Sequence, residues 1–446
     1  MLGLMTGMVP GFRSETMVPL PFGFDWDSGR FPLSITRTGS GFRSGLNPRS
    51  LVDPGIWTGV AIHVDGENGD DGNNGFGADG DFSAAKRSIH AAFVAGNATA
   101  APFRVVIKAG EYEESAFTRN GNEEPTQPVA ILGWGGPVRY RTGPFEISWT
   151  NAGDTYTAPV SAVRRVFRST QTTAQGIHVE LERAADLASC QSTTDSWFAD
   201  GGTLHINVAQ TPGARDLAVI RSFHGARFLN HAQDLYLEDI HCEGGITGAL
   251  HVDAPASRNV VAVGCSFRYS APSNVNNPLD AVQLRRTNGL AAFFDCDASG
   301  GAEDGWSFHE DGNAGLHVLL ENCTGFANGA FAADSCNALT AHDGVRLVDL
   351  NGRYGWSRNG TEVHCIQSSQ SLLAGTEVTA RDVDGTSTAF KCSNQSSMWL
   401  QDTVADADGS AENIAIEANG GSVFTRGHSG VNGTVSTSSG GSVSQF

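Results

Sequence analysis

The chain has 446 residues, a formal net charge of −19, 55 glycines and only 17% charged residues. That acidic balance argues against nucleic acid as a partner, because phosphate backbones are held by a basic face. The hydrophobic content of 40% is well above that of disordered chains, so a large core is expected.

Residues 1–57 differ from the rest of the chain. They hold Met1, Met5, Met8 and Met17, are nearly neutral, and show no sustained helical or strand period. Met1–Pro10 is broken by Gly3, Gly7 and Pro10 and does not read as a secretory signal. The segment reads as an extended arm. A disordered tail is the plain alternative, but Phe12, Phe22, Phe24, Trp26, Phe31, Phe42 and Trp57 favour an arm that orders on a partner, since disordered tails are poor in aromatics. No apolar run reaches the length of a membrane span, so no membrane insertion is expected.

Val60–Val64 alternates like a strand. The turn-rich run from Asp65 to Gly75 comes next, where a solvated turn and a Ca²⁺ site built from Asp and Asn oxygens both stand open, although the spacing is not that of an EF-hand. Ser83–Phe93 predicts one amphipathic helix with Ser83 as N-cap. Phe103–Lys108 and Pro128–Leu132 predict strands. Between Pro144 and Asp216 the strand pattern is interrupted, and Ser196–Val208 reads as a β-hairpin turning at Asp200-Gly201-Gly202.

From Leu235 a short pattern recurs: an apolar strand, a polar residue (Gly stands in once), then one inward apolar residue. The pairs are Asp239-Ile240, Gly264-Cys265, Asp295-Cys296, Asn322-Cys323, Asp349-Leu350, Glu377-Val378 and Thr403-Val404, spaced by 25, 31, 27, 27, 28 and 26 residues. A second strand lies between successive pairs, with an expected outward column of His251, Gln283, His309, Thr340, His364, Lys391 and Glu417. Short strands, Gly/Asn/Ser turns and a nearly fixed period predict an all-β parallel solenoid. Cys265, Cys296 and Cys323 should stack inside it as reduced, buried thiols, as should Cys365 and Cys392. No CxxC or Cys/His pair has zinc-ligand spacing, so no metal ligands are assigned. The expected organisation is an arm at 1–57, a solenoid start with a capping helix at 58–143, an inserted hairpin lobe at 144–216, central coils at 217–420, and a C-terminal cap or Gly/Ser-rich tail at 421–446.

Val64–Gly75 (VDGENGDDGNNG), the short helix and Phe103–Glu114 (FRVVIKAGEYEE) resemble the opening of right-handed parallel β-helix proteins of the pectate-lyase-like superfamily. Ser196–Val208 (SWFADGGTLHINV) is similar to an insertion common there. Glu303–Gly312, Glu321–Gly329 and Asn337–Gly344 resemble central coils of bacterial and phage members. The resemblance implies a right-handed β-helix. For activity it implies a range from pectate lyases and glycoside hydrolases to phage tailspikes and non-catalytic structural proteins. An arm followed by a β-helix is the layout of phage spikes. The expectation is therefore a homotrimeric virion spike, assembled in the host cytoplasm, contacting other virion proteins through the arm and host surface polysaccharide through the β-helix. The alternative is a secreted polysaccharide-degrading hydrolase or lyase.

Around the outward column, Glu303, Asp304, Glu310, Asp311, Asp334 and Asp343 are the candidate catalytic carboxylates, since glycoside hydrolysis needs two carboxyls flanking the bond. Arg285, Trp306, His309, His342, Trp356 and His364 are the candidate substrate contacts, polar groups for hydroxyls and indoles for the CH face of a sugar. An ordinary solvated face is the plain alternative. No cofactor is expected, Ca²⁺ aside; a lyase would require it on Asp or Glu with an Arg or Lys base, and the family's full acid–arginine arrangement is not found.

Overall fold

The computed structural model describes residues 15–113, 124–273, 279–330, 336–381, 388–407 and 413–446. It is a parallel β-solenoid whose coils each supply three short strands to three faces. One face is a nine-stranded parallel sheet from Ala226–Phe228 through Val282–Thr287, Trp306–His309, Asn337–His342 and Thr361–Cys365 to Thr434–Ser438. The other two meet at a bend in every coil. Leu235, Val260, Ala291, Val318, Leu347, Ser371, Met398 and Val423 are successive register partners facing the interior.

The bends explain the repeat. Asp239, Gly264, Asp295, Asn322, Asn351, Gly375, Asp402 and Gly427 all take left-handed φ values between 51° and 69°. Glycine enters that region freely, and Asn and Asp more readily than other side chains. In the first four coils the bend residue is the expected one, Gly264 standing in for a polar residue, and Ile240, Cys265, Cys296 and Cys323 follow it into the core. The last three assignments slip. The bends fall at Asn351, Gly375 and Asp402, not at Asp349, Glu377 and Thr403. There the residue after the bend is Gly352, Thr376 or Thr403, so an apolar marker is missing. Buried Thr376 donates to Asp349 Oδ2 at 2.5 Å, and Thr403 Oγ1 lies 2.8 Å from His428 Nδ1. All eight cysteines are buried and unbridged, with Cys365 opposite Cys392.

The predicted helix is displaced. It spans Ile89–Asn97 and is capped by Ser88, whose side chain accepts from Ala91 N at 3.2 Å. Asp71 fixes that start by accepting from Arg87 N, Ser88 N and Ser88 Oγ. Ile89, Ala92 and Phe93 lie against the first coils. Asp65 accepts from Lys108 Nζ at 2.6 Å and from Glu67 N and Asn68 N, and Asp70 accepts from Gly72 N. The loop's oxygens thus serve its own turns, and the strands beyond the helix are Phe103–Glu113 and Val129–Arg141.

The hairpin pairs Ser196–Ala199 with Leu204–Asn207. It belongs to a small five-stranded sheet whose Trp197, Leu204 and Ile206 share a core with Val166 and Val219 of a neighbouring three-stranded sheet. Arg165 ties this lobe to the coils by donating to the Ser270 and Gly300 carbonyls at 2.7 and 2.6 Å.

Residues 15–57 of the arm are laid along one face of the solenoid. Phe24, Trp26, Phe31, Ile35, Phe42, Val52 and Ile56 pack on outward residues of that face, among them Tyr236, Phe294, Leu319, Leu350, Leu372 and Trp399. Both sides of these strands are thereby buried, which is why Leu290–Phe294 (LAAFF) is apolar at every position. Arg49 pairs with Glu238, Ser44 Oγ donates to Glu321 Oε2 at 2.6 Å, and Arg30 donates to Asn288 Oδ1 at 2.7 Å. Residues 15–57 of the arm thus order on their own chain, and Phe12 lies outside the described residues. The stretch after Ala418 continues the coil in register through Ser422–Arg426 and Ser442–Gln445.

Candidate functional site

The nine-stranded sheet carries the site on its outer face. Strand alternation sends Val282, Leu284, Trp306, Phe308, Leu339, Ala341, Val363 and Cys365 inward. The residues between them form two outward columns. One runs through His251, Gln283, Ser307, Thr340, His364, Lys391 and Glu417. The other runs through Asp253, Arg285, His309 and His342. His309 therefore lies one column over from its expected place beside Gln283 and Thr340. A slip of two residues preserves the side of the sheet, so alternation alone could not detect it.

A cleft of about 410 Å³ opens between the columns and the turns that feed them, lined in part by Asp280, Arg285, Glu303, Asp304, Thr340 and His364. Its floor is a ladder of turn residues. Asp304 N–H donates to Asp280 Oδ1 at 3.1 Å, and Asn337 N–H donates to Asp304 Oδ1 at 2.7 Å. Each carboxylate thus anchors the backbone of the next coil. Thr340 Oγ1 donates to Asp304 Oδ2 at 2.7 Å, and Gln283 Nε2 donates to Asp280 Oδ2 at 2.9 Å.

Burial pushes the Asp280 carboxyl well above the ordinary range, and the charges of Asp304 and Glu303 add to the effect. Asp304 is also raised by burial, against the opposing hydrogen bonds from Thr340 and Asn337. Both shifts favour the protonated form more than water does for a surface carboxylate. Burial, with His342 and Arg285 beside it, pushes His309 down to about 4. Burial, with Lys391 next to it, pushes His364 down to about 3. Both rings are neutral at neutral pH and act as polar, uncharged contacts.

The expected site residues divide clearly. Glu303, Asp304, Arg285, His309, His342 and His364 line the cleft. Asp343, at the turn after His342, lies 2.9 Å from its Nδ1. Asp311 sits at the edge, paired with Arg285 at 2.5 Å. Glu310 is turned away: it accepts from Gly315 N at 2.9 Å and faces Gly344, Arg346 and arm residues Asp25–Ser28. Trp306 is not a surface platform. It is fully buried, donates to the Thr324 carbonyl at 2.9 Å and stacks with Phe308, because alternation with outward Ser307 sends it into the core. Trp356 sits after a strand of another face, its ring 5.9 Å from Phe326. Asp334 lies outside the described residues. Sequence reading missed Asp280, Ser307 and Asn337. Aligning Asp280-Ala281-Val282 with Asp304-Gly305-Trp306 would have found the first two.

No protein-family model matches this chain, and no curated protein does. Among solved structures it is similar to one described as a glycoside hydrolase, at 8% identity and a TM-score of 0.41, over 86% of this chain and 96% of the other. It is also similar to pectate lyase Pel9A, at 14% identity and a TM-score of 0.33, over 89% of this chain and 81% of the other.

Proposed function

We propose that the cleft on the nine-stranded sheet holds a carbohydrate chain. The observation that carries this reading is the lining itself: guanidinium, imidazole, hydroxyl and carboxylate groups converge on a cleft of about 410 Å³. They stand on strands stacked at the ~4.8 Å rung spacing of a sheet, a rigid comb of donors and acceptors matched to sugar hydroxyls. Affinity electrophoresis against a panel of surface and plant polysaccharides tests it. Wild-type protein should be retarded by at least one, and Arg285→Ala with Thr340→Val should lose the retardation. No retardation across the panel overturns the reading.

Asp280 favours a second reading, cleavage of the bound glycan. A buried carboxyl whose pKa is raised by burial and by the neighbouring charges of Asp304 and Glu303 is of the kind that the general-acid half of glycoside hydrolysis uses. Release of reducing ends from a bound polysaccharide, lost in Asp280→Asn and Glu303→Gln, supports it. Binding without release limits the cleft to recognition.

The setting we propose is a homotrimeric, spike-like attachment protein on a phage-like particle, with host surface polysaccharide as its ligand and other virion proteins as its partners. What supports an arm contact is Phe22, fully exposed while its neighbour Phe24 is buried. Light scattering tests the assembly: three times the 46.9 kDa chain mass supports it, and a monomer overturns it.

A further inference from the structure

Two imidazoles and a carboxylate converge at the edge of the cleft. His309 and His342 are register partners on adjacent strands, with ring centroids 4.6 Å apart. Asp343 comes next in a left-handed turn at φ 60°. Its Oδ2 lies 2.9 Å from His342 Nδ1 and 3.6 Å from His309 Nδ1. One donor atom from each of the three residues lies within 4.8 Å of the others. The 2.9 Å approach is not a hydrogen bond, since His342 Nδ1 is buried and, among the described residues, no acceptor is aligned with it. His309 is held through its far nitrogen, with Nε2 2.9 Å from Ser307 Oγ.

Three donors on a tetrahedral zinc ion, each at about 2.0–2.2 Å, stand roughly 3.3 Å from one another. The distances of 2.9 and 3.6 Å bracket that value. A hydrogen-bonded pair does not account for the 2.9 Å approach of Asp343 Oδ2 to His342 Nδ1, which is close but not aligned as a donor and acceptor would be. The donor set is also selective: Ca²⁺ and Mg²⁺ take oxygen shells, whereas imidazole with carboxylate suits zinc and its first-row neighbours.

We propose that His309, His342 and Asp343 form a binding site for one divalent first-row transition ion, of which zinc is the reference case. The site leaves a fourth position for water or a ligand group, the pattern of open three-residue zinc centres. Its ligands come from two successive coils, so it arises from stacking rather than from a linear motif. It stands independently of carbohydrate binding.

The test uses the full chain, stripped with chelator and dialysed. Calorimetric titration with Zn²⁺ should give one ion per chain. Co²⁺ should give the intense visible absorption of four-coordinate cobalt, and Zn²⁺ should raise the melting temperature, because an ion bound only by the native state stabilises it. His342→Gln and Asp343→Asn should each weaken binding about tenfold or more. Both side chains are partly exposed, at 25% and 34%, so the variants should melt like the wild-type apoprotein. Should one variant unfold, the other carries the comparison. Absence of stoichiometric binding, or unchanged affinity in the folded variants, overturns the proposal.

Discussion

Asn351 and Phe42 are joined by a closed pair of hydrogen bonds. Phe42 N–H donates to Asn351 Oδ1 at 2.8 Å, and Asn351 Nδ2 donates to the Phe42 carbonyl at 2.7 Å. Asn351 is also the left-handed bend of its coil. Its Nδ2 reaches Asn322 Oδ1 at 2.9 Å, and Asn322 Nδ2 reaches Asp295 Oδ1 at 3.0 Å. A ladder of bend residues therefore ends on the arm.

Two substitutions separate the roles of that residue. Asn351→Gly keeps the backbone conformation and loses the side-chain bonds, at an expected cost of about 1–2 kcal/mol. Asn351→Ala adds the strain of a left-handed alanine, about 1 kcal/mol more. Urea unfolding measures both, and proteolysis near Phe42 should quicken in each. Wild-type behaviour of both variants would detach the arm from this ladder.

Cys296 is buried in the column between Cys265 and Cys323, beyond reach of water. Cys296→Asp should lose several kcal/mol, because an unpaired charge would be buried there. Cys296→Ala should cost roughly 1–2 kcal/mol for the small cavity. Thermal melting distinguishes them, and a Cys296→Asp variant melting like wild type would place the residue outside the core.

Asp349 gives a pH test with a definite sign. Burial pushes it up to about 6, against hydrogen bonds donated by Thr376 and Tyr354. The native state then holds a proton that the unfolded chain releases near its ordinary pKa of about 3.9. Stability from this group is full below about pH 4, falls as pH rises towards 6, and stays reduced above, by about 3 kcal/mol. Asp349→Asn should therefore gain on wild type between pH 4.5 and 7.5 in denaturant midpoints. A constant gap would mean that the carboxyl does not titrate in this way.

His231 has the opposite sign. Burial pushes it down to about 4. Its Nδ1 lies 2.6 Å from the Pro125 carbonyl, which fixes the neutral ring as donor. The unfolded chain takes up the proton first, so this contribution is full above about pH 6.5 and is lost as pH falls towards 4, about 3 kcal/mol in all. Relative to wild type, His231→Gln should gain as pH falls from 7 to 4.5. A gap that stays flat across that range would show that His231 does not protonate on unfolding.

The solenoid was legible because every coil must turn at a left-handed residue and bury the next one. Asp239, Gly264, Asp295 and Asn322 announce that turn, and Ile240 or Cys comes after each. Legibility fails where the inward residue is polar, as at Thr376 and Thr403, because their hydrogen bonds are invisible before folding. The buried place of Trp306 was available from its alternation with Ser307 and His309, but the pull of an indole beside acids obscured it. The pairing of His309 with His342 was not available from spacing, since coil lengths vary and only the hydrogen-bonded register sets which rungs meet. The covered face had a sign in Leu290–Phe294: a strand apolar on both sides needs two partners.

Along the arm, Phe24 meets Trp399 at a centroid distance of 5.5 Å, while Arg49 meets Glu238. The arm therefore runs against the order of the coils. On a ribosome the part synthesised early is the part whose resting place is built late. At about 5–20 residues per second, Phe24 waits roughly half a minute, within a factor of two or so, for Trp399 to emerge. Its aromatic neighbours Trp26 and Phe31 share the wait. A chain interrupted before Trp399 is left with these rings unsheltered, a hydrophobic signal by which quality control could distinguish unfinished copies from finished ones.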